Sequence, residues 1–227
     1  MKIPPSFWLC LGLLVSPVLQ AQDIGTRQLD VRVRDQAGAL LQDAVVTLRP
    51  ANATATTAAA GTVAIMDQRG KIFVPHVLVI QPGTRVEFPN SDHVRHHVYS
   101  FSPPKPFELR LYSGAETPFV SFDRPGVVSL GCNIHDWMQG YIYITEDPLF
   151  ALSTADGIAH FANLADGSYR MHIWHPRLRG PYMGVEYALS IGTATPARLD
   201  YSVEIRSRQA VQQPPAADMD PFYGKKF

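Results

Sequence analysis

Between residues 62 and 145 short apolar runs alternate with Pro- and Gly-bearing turns at regular spacing, and no stretch shows the 3.6-residue period of an amphipathic helix. The runs fall at 63–66, 73–80, 85–88, 97–101, 107–112, 119–122, 127–130 and 141–145. Such a rhythm predicts an all-β fold, a sandwich or barrel of two packed sheets. Gln81-Pro82-Gly83-Thr84, with Pro at the second and Gly at the third position, predicts a type II turn.

The pattern continues on both sides. Residues 29–34 alternate apolar and polar side chains, Asp35-Gln36-Ala37-Gly38 turns the chain, and 44–48 makes a second strand. Beyond Glu146 come runs at 150–152, 158–161, 169–174, 185–191 and 199–205, with turns at Ala155-Asp156-Gly157 and Ala165-Asp166-Gly167. The later strands are too few for a sandwich of their own. Residues 22–50 and 148–207 are therefore expected to pair, with 62–147 inserted between them and 51–61 as an Ala- and Thr-rich linker that could also be helical. Residues 208–227, with Gln212-Gln213-Pro214-Pro215, lack an apolar face and are expected to be disordered.

Residues 1–21 read as a signal peptide: Lys2, an apolar core from Phe7 to Val15 too short to span a bilayer, and a cut after Ala21. An exported, periplasmic protein with no membrane span is expected. Twenty basic residues balance twenty acidic ones, which points to neither nucleic acid nor an anionic membrane as partner. Cleavage would remove Cys10 and leave Cys132 as the single thiol, with no internal disulfide. By itself Cys132 reads equally well as a small buried hydrophobe.

Its neighbours change that reading. Gly131-Cys132-Asn133-Ile134-His135-Asp136-Trp137-Met138 gathers a thiol, an imidazole and a thioether in one loop between two strands, a donor set suited to copper. Strands on both sides restrict the loop, which is the preorganisation a redox site needs. A trigonal plane of two histidines and a cysteine with a long axial methionine requires one more histidine. The stretch from Phe88 to Phe101 offers His93, His96 and His97. Neighbours on a strand face opposite ways, so only one of His96 and His97 can reach the metal. His76 sits in an apolar strand and reads as structural, and His160 lies on the polar face of its strand. Met171-His172-Ile173-Trp174-His175-Pro176 is a candidate second site, although an imidazole pair without carboxylate or thiolate support is ordinarily not one. Trp137 and Tyr141 read as core aromatics, Asp136 as a surface residue.

The middle region resembles the cupredoxins, above all the amicyanin-like and plastocyanin-like members. The matching residues are Pro82-Gly83-Thr84-x-Val86-x-Phe88-x-Asn90, His96-x-Val98, and Gly126-x-Val128-x-x-x-Cys132-x-x-His135-x-x-Met138-x-Gly140-x-Ile142. The layout is similar to exported bacterial proteins of the methylamine-utilization or plastocyanin-like type. The flanking parts resemble a carboxypeptidase-regulatory or prealbumin-like sandwich, by their Asp-x-x-Gly turns and Leu164-x-x-Gly167-x-Tyr169. The resemblance implies a Greek-key β-sandwich with His96, Cys132 and His135 as equatorial ligands and Met138 as the axial one. His97 stands where these proteins have Asn, and Ile134 where they often have Pro; both changes bear on the reduction potential.

The expected function is that of a mononuclear type 1 blue copper protein. It would hold one copper ion that cycles between Cu(I) and Cu(II) and carry electrons between redox partner proteins. No open coordination position remains for a substrate, which argues against an enzyme. The alternatives are a periplasmic copper carrier or sensor without electron shuttling, and an enzyme with a second copper at His172 and His175 or on a partner subunit.

Overall fold

The computed structural model describes residues 26–207, so the signal segment and the tail at 208–227 lie outside the described residues. Among the described residues there is no helix, and hence none long and apolar enough to cross a membrane. The fold is all-β, built from packed sheets.

The first two strands are β1 (Arg27–Asp35) and β2 (Val45–Pro50). The middle of the chain supplies β3 (Val63–Ile65), β4 (Asp67–Gln68), β5 (Phe73–Val74), β6 (Val77–Ile80), β7 (Thr84–Glu87), β8 (His96–Ser100), β9 (Phe107–Tyr112), β10 (Phe119–Phe122), β11 (Gly126–Cys132) and β12 (Gln139–Ile144). After these come β13 (Leu149–Leu152), β14 (Ile158–Leu164), β15 (Gly167–Trp174), β16 (Val185–Ile191) and β17 (Arg198–Val203).

Pairing keeps the middle and the flanks apart. The middle strands form a five-stranded sheet in the order β6-β12-β11-β8-β9, a three-stranded sheet β10-β7-β3 and the small hairpin β4-β5. The flanking strands form β14-β1-β17 and β13-β2-β15-β16. The expected continuous strand over 73–80 is instead two, because Pro75 has no N–H for a ladder, and the chain changes partner there. Nor is 51–61 helical. It is irregular and tied down by its backbone, the Thr56 N–H donating to the Glu146 carbonyl at 2.9 Å and that of Ala58 to the Pro82 carbonyl at 2.8 Å. The turn at Pro82-Gly83 forms as the sequence predicts: Gly83 has φ +93° and the Thr84 N–H donates to the Gln81 carbonyl at 3.2 Å.

Strand alternation divides the side chains of the five-stranded sheet between two cores. Val128, Leu130 and Cys132 of β11 and Ile142 and Ile144 of β12 join Phe73, Phe88, Val98 and Phe122 in one cluster. Val127 and Tyr143 join the other, with Val46, Met171, Ile173 and Trp174 of the flanking sheet β13-β2-β15-β16. Each large side chain taken fully out of water contributes about 1.5–3 kcal/mol. The sheet that carries Cys132 is therefore held from both sides.

Candidate metal centre

Cys132 is the last residue of β11, and the chain returns as β12 at Gln139, leaving the intervening six-residue loop, 133–138, to carry His135. The loop closes on itself: the Met138 N–H donates to the His135 carbonyl at 2.9 Å and the Cys132 N–H to the Met138 carbonyl at 3.2 Å. His96 opens β8, which pairs antiparallel with β11 through Tyr99–Gly131 and Val98–Cys132. Between the two loops the Asn133 N–H donates to the His97 carbonyl at 3.3 Å, a backbone tie where the resemblance leads one to look for an asparagine side chain.

These elements bring three of the expected ligands to one point. Cys132 Sγ lies 3.7 Å from His96 Nδ1 and 3.7 Å from His135 Nδ1. The three ligand atoms all lie within 4.8 Å of one another, and this is the one such group among the described residues. Bond lengths of about 2.3 Å to sulfur and about 2.0 Å to nitrogen, set trigonally around a divalent ion, separate sulfur from nitrogen by about 3.7 Å. The donor set and its spacing thus fit copper. Met138 is fully buried in the same core cluster as Cys132, on the same short loop.

His96 and His97 face opposite ways, as strand geometry demands. His96 is fully buried, whereas His97 pairs through Nε2 with Glu108 at 2.9 Å and packs near Tyr99. His93 and Asp136 are exposed. Burial is the largest single influence on both Cys132 and His96 and opposes their ionisation, but their mutual hydrogen bond together with the surrounding partners, Asp92 on His96 among them, overcomes it. The thiol is lowered and the imidazole raised, and backbone N–H groups of His97 and Ile134 also stabilise the thiolate. Trp137 is not simply a core aromatic. It is half-buried with its ring 5.1 Å from that of His135, and its Nε1 donates to the Lys71 carbonyl at 3.2 Å.

The candidate second site does not form. His172 lies 3.5 Å from Asp147 and 3.2 Å from Glu186 in an ion-pair network, while His175 is buried and accepts the Arg177 N–H on Nδ1 at 3.1 Å. His172 lies within β15 whereas His175 follows its last residue, Trp174, and the two imidazoles have different surroundings. Tyr141, read as a core aromatic, packs edge-on against His76 at 5.5 Å and Trp174 at 5.7 Å, against the core that holds Trp174.

One residue at the centre escaped sequence reasoning. Asp92 Oδ2 lies 2.8 Å from His96 Nε2, and the carboxylate also accepts N–H groups of Gly70 and Lys71 at 2.6 and 2.9 Å. Those donors sit on the hairpin β4-β5, some twenty residues upstream, and no local spacing signals them.

No protein-family model matches the sequence, and none of the curated proteins does. Among solved structures, the copper-containing nitrite reductase of Thermus scotoductus is 29% identical with a TM-score of 0.36 over 44% of this chain, which spans only 26% of that enzyme's length. A purple cupredoxin from Nitrosopumilus maritimus is 22% identical with a TM-score of 0.32, covering 37% of this chain and 99% of that one. Reduced amicyanin carrying a Trp-to-Tyr mutation is 14% identical with a TM-score of 0.34, covering 43% and 98%. At this degree of likeness, the case for a metal site rests on the chain's own side chains.

Proposed function

We propose that this is a cupredoxin-type copper protein that carries electrons between redox partners. The observation that carries the reading is the convergence of Cys132 Sγ with Nδ1 of both His96 and His135, three donors from two strands and a loop brought to one point. Cys132, His96 and His135 would hold the ion, and Met138, buried in the same core cluster as Cys132, would supply a weak fourth donor. A copper ion held there supplies a one-electron couple.

The protein's part is to keep the donors still. A thiolate, two imidazoles and a thioether suit both oxidation states in one geometry, so little rearrangement accompanies electron transfer. Cys132 is only 4% exposed and His96 is fully buried, so water is kept from the sulfur and from one imidazole. His135 is half-exposed, with the exposed apolar Ile134 beside it and Trp137 against its ring. Its edge is the natural point of electron entry and exit. Export to the periplasm, read from residues 1–21, belongs to the same proposal.

A copper carrier or sensor would use the same donors. A groove of about 540 Å³ borders the site, with Cys132 and Met138 among its lining residues. Voltammetry of the copper-loaded protein separates the two: an electron carrier gives a reversible one-electron wave and keeps its copper against moderate chelators. A carrier gives up the metal and shows no such wave.

A further inference from the structure

Accepting the copper reading, we infer that Asp92 is a positioning residue that fixes the orientation and proton of His96 from outside the metal site. His96 presents Nδ1 to the sulfur, so its proton belongs on Nε2, and an acceptor there decides between the two tautomers. Asp92 Oδ2 is that acceptor, at 2.8 Å.

The carboxylate is itself built into place. Gly70 and Lys71 adopt successive left-handed conformations, φ +68° and +58°, and so aim two adjacent N–H groups at one anion. Oδ1 accepts that of Gly70 at 2.6 Å and Oδ2 that of Lys71 at 2.9 Å. The turn is closed by the Arg69 N–H on the Ile72 carbonyl at 3.0 Å, and Asn90 Oδ1 accepts the Asp92 N–H at 3.0 Å. The Lys71 carbonyl receives the Trp137 indole, whose ring lies against His135. One turn of the β4-β5 hairpin thereby supports both imidazoles. A carboxylate on Nε2 also strengthens His96 as a donor, which favours the higher oxidation state and lowers the reduction potential.

The test compares the full chain with Asp92→Asn, nearly isosteric and uncharged, in copper competition against a chelator and in voltammetry. The variant is expected to bind copper about 10–100-fold more weakly and to show a higher reduction potential, with sulfur-to-copper absorption retained. Equal affinity and potential in the two proteins would overturn the inference, as would weaker binding at an unchanged potential, which signals only a loosened fold. A wild-type protein that binds copper without sulfur-to-copper absorption would sink the copper reading itself. Proton NMR of the Cu(I) wild type keeps the test open if the variant does not fold. A solvent-protected imidazole N–H assigned to His96 Nε2 is expected, and its absence would count as refutation.

Discussion

At the scale of residues, two neighbouring histidines of the same type have different roles because one backbone step turns a strand side chain to the other face. His96 meets the sulfur inside the core; His97 meets Glu108 outside it. His97→Ala should therefore leave the visible sulfur-to-copper absorption in place, whereas Cys132→Ser should abolish it. Absorption spectra of the two copper-treated variants check this, and loss of the band in His97→Ala would reverse the assignment. The convergence of His96, Cys132 and His135 could be anticipated because they fall in two short stretches with distinctive chemistry. Asp92 was not legible, since a carboxylate near a histidine is common and its backbone donors come from a distant hairpin.

At the scale of elements, the metal loop depends on close approach between β12 and β5. A Cβ on Gly140 would stand 2.9 Å from Cβ of Phe73 and 3.0 Å from its ring, and Phe73 is 1% exposed with nowhere to swing. Gly140→Ala is accordingly expected to destabilise the protein by about 1–3 kcal/mol through overpacking. Denaturant unfolding measures this, and a neutral change would mean that Phe73 can yield. The strands themselves were readable from alternation, and 107–112, 119–122 and 185–191 fall where the structure has β9, β10 and β16. What alternation did not show was the break at Pro75, where the ladder loses an N–H and the chain changes partner, or the two-residue strand β4, which pairs with β5 across a tight turn and is too short to carry an alternating pattern.

At the scale of the molecule, the two cores share the five-stranded sheet, and a buried histidine, His175, follows the end of β15. Burial, with the charge of Arg177, pushes His175 down to about 4, while Asp43 opposes the shift and His76 adds to it. Between pH 6.5 and 4 the unfolded chain binds a proton at this residue that the folded chain refuses, so stability falls as pH drops through that window, by about 3 kcal/mol at most. Asp147, held at about 2 despite its burial by His172, Thr47 and Arg49, adds a further loss below the ordinary aspartate range. Melting curves of wild type and His175→Asn across pH 7 to 4 should show a shallower decline in the variant; parallel declines would remove His175 from the account.

The central claim, a metal gripped by one sulfur and two imidazoles, is tested most directly by X-ray absorption at the copper edge on protein loaded with one equivalent. One short copper–sulfur and two copper–nitrogen distances are expected, with the sulfur contribution gone in Cys132→Ser. A coordination shell of nitrogen and oxygen alone, unchanged by that substitution, would contradict it.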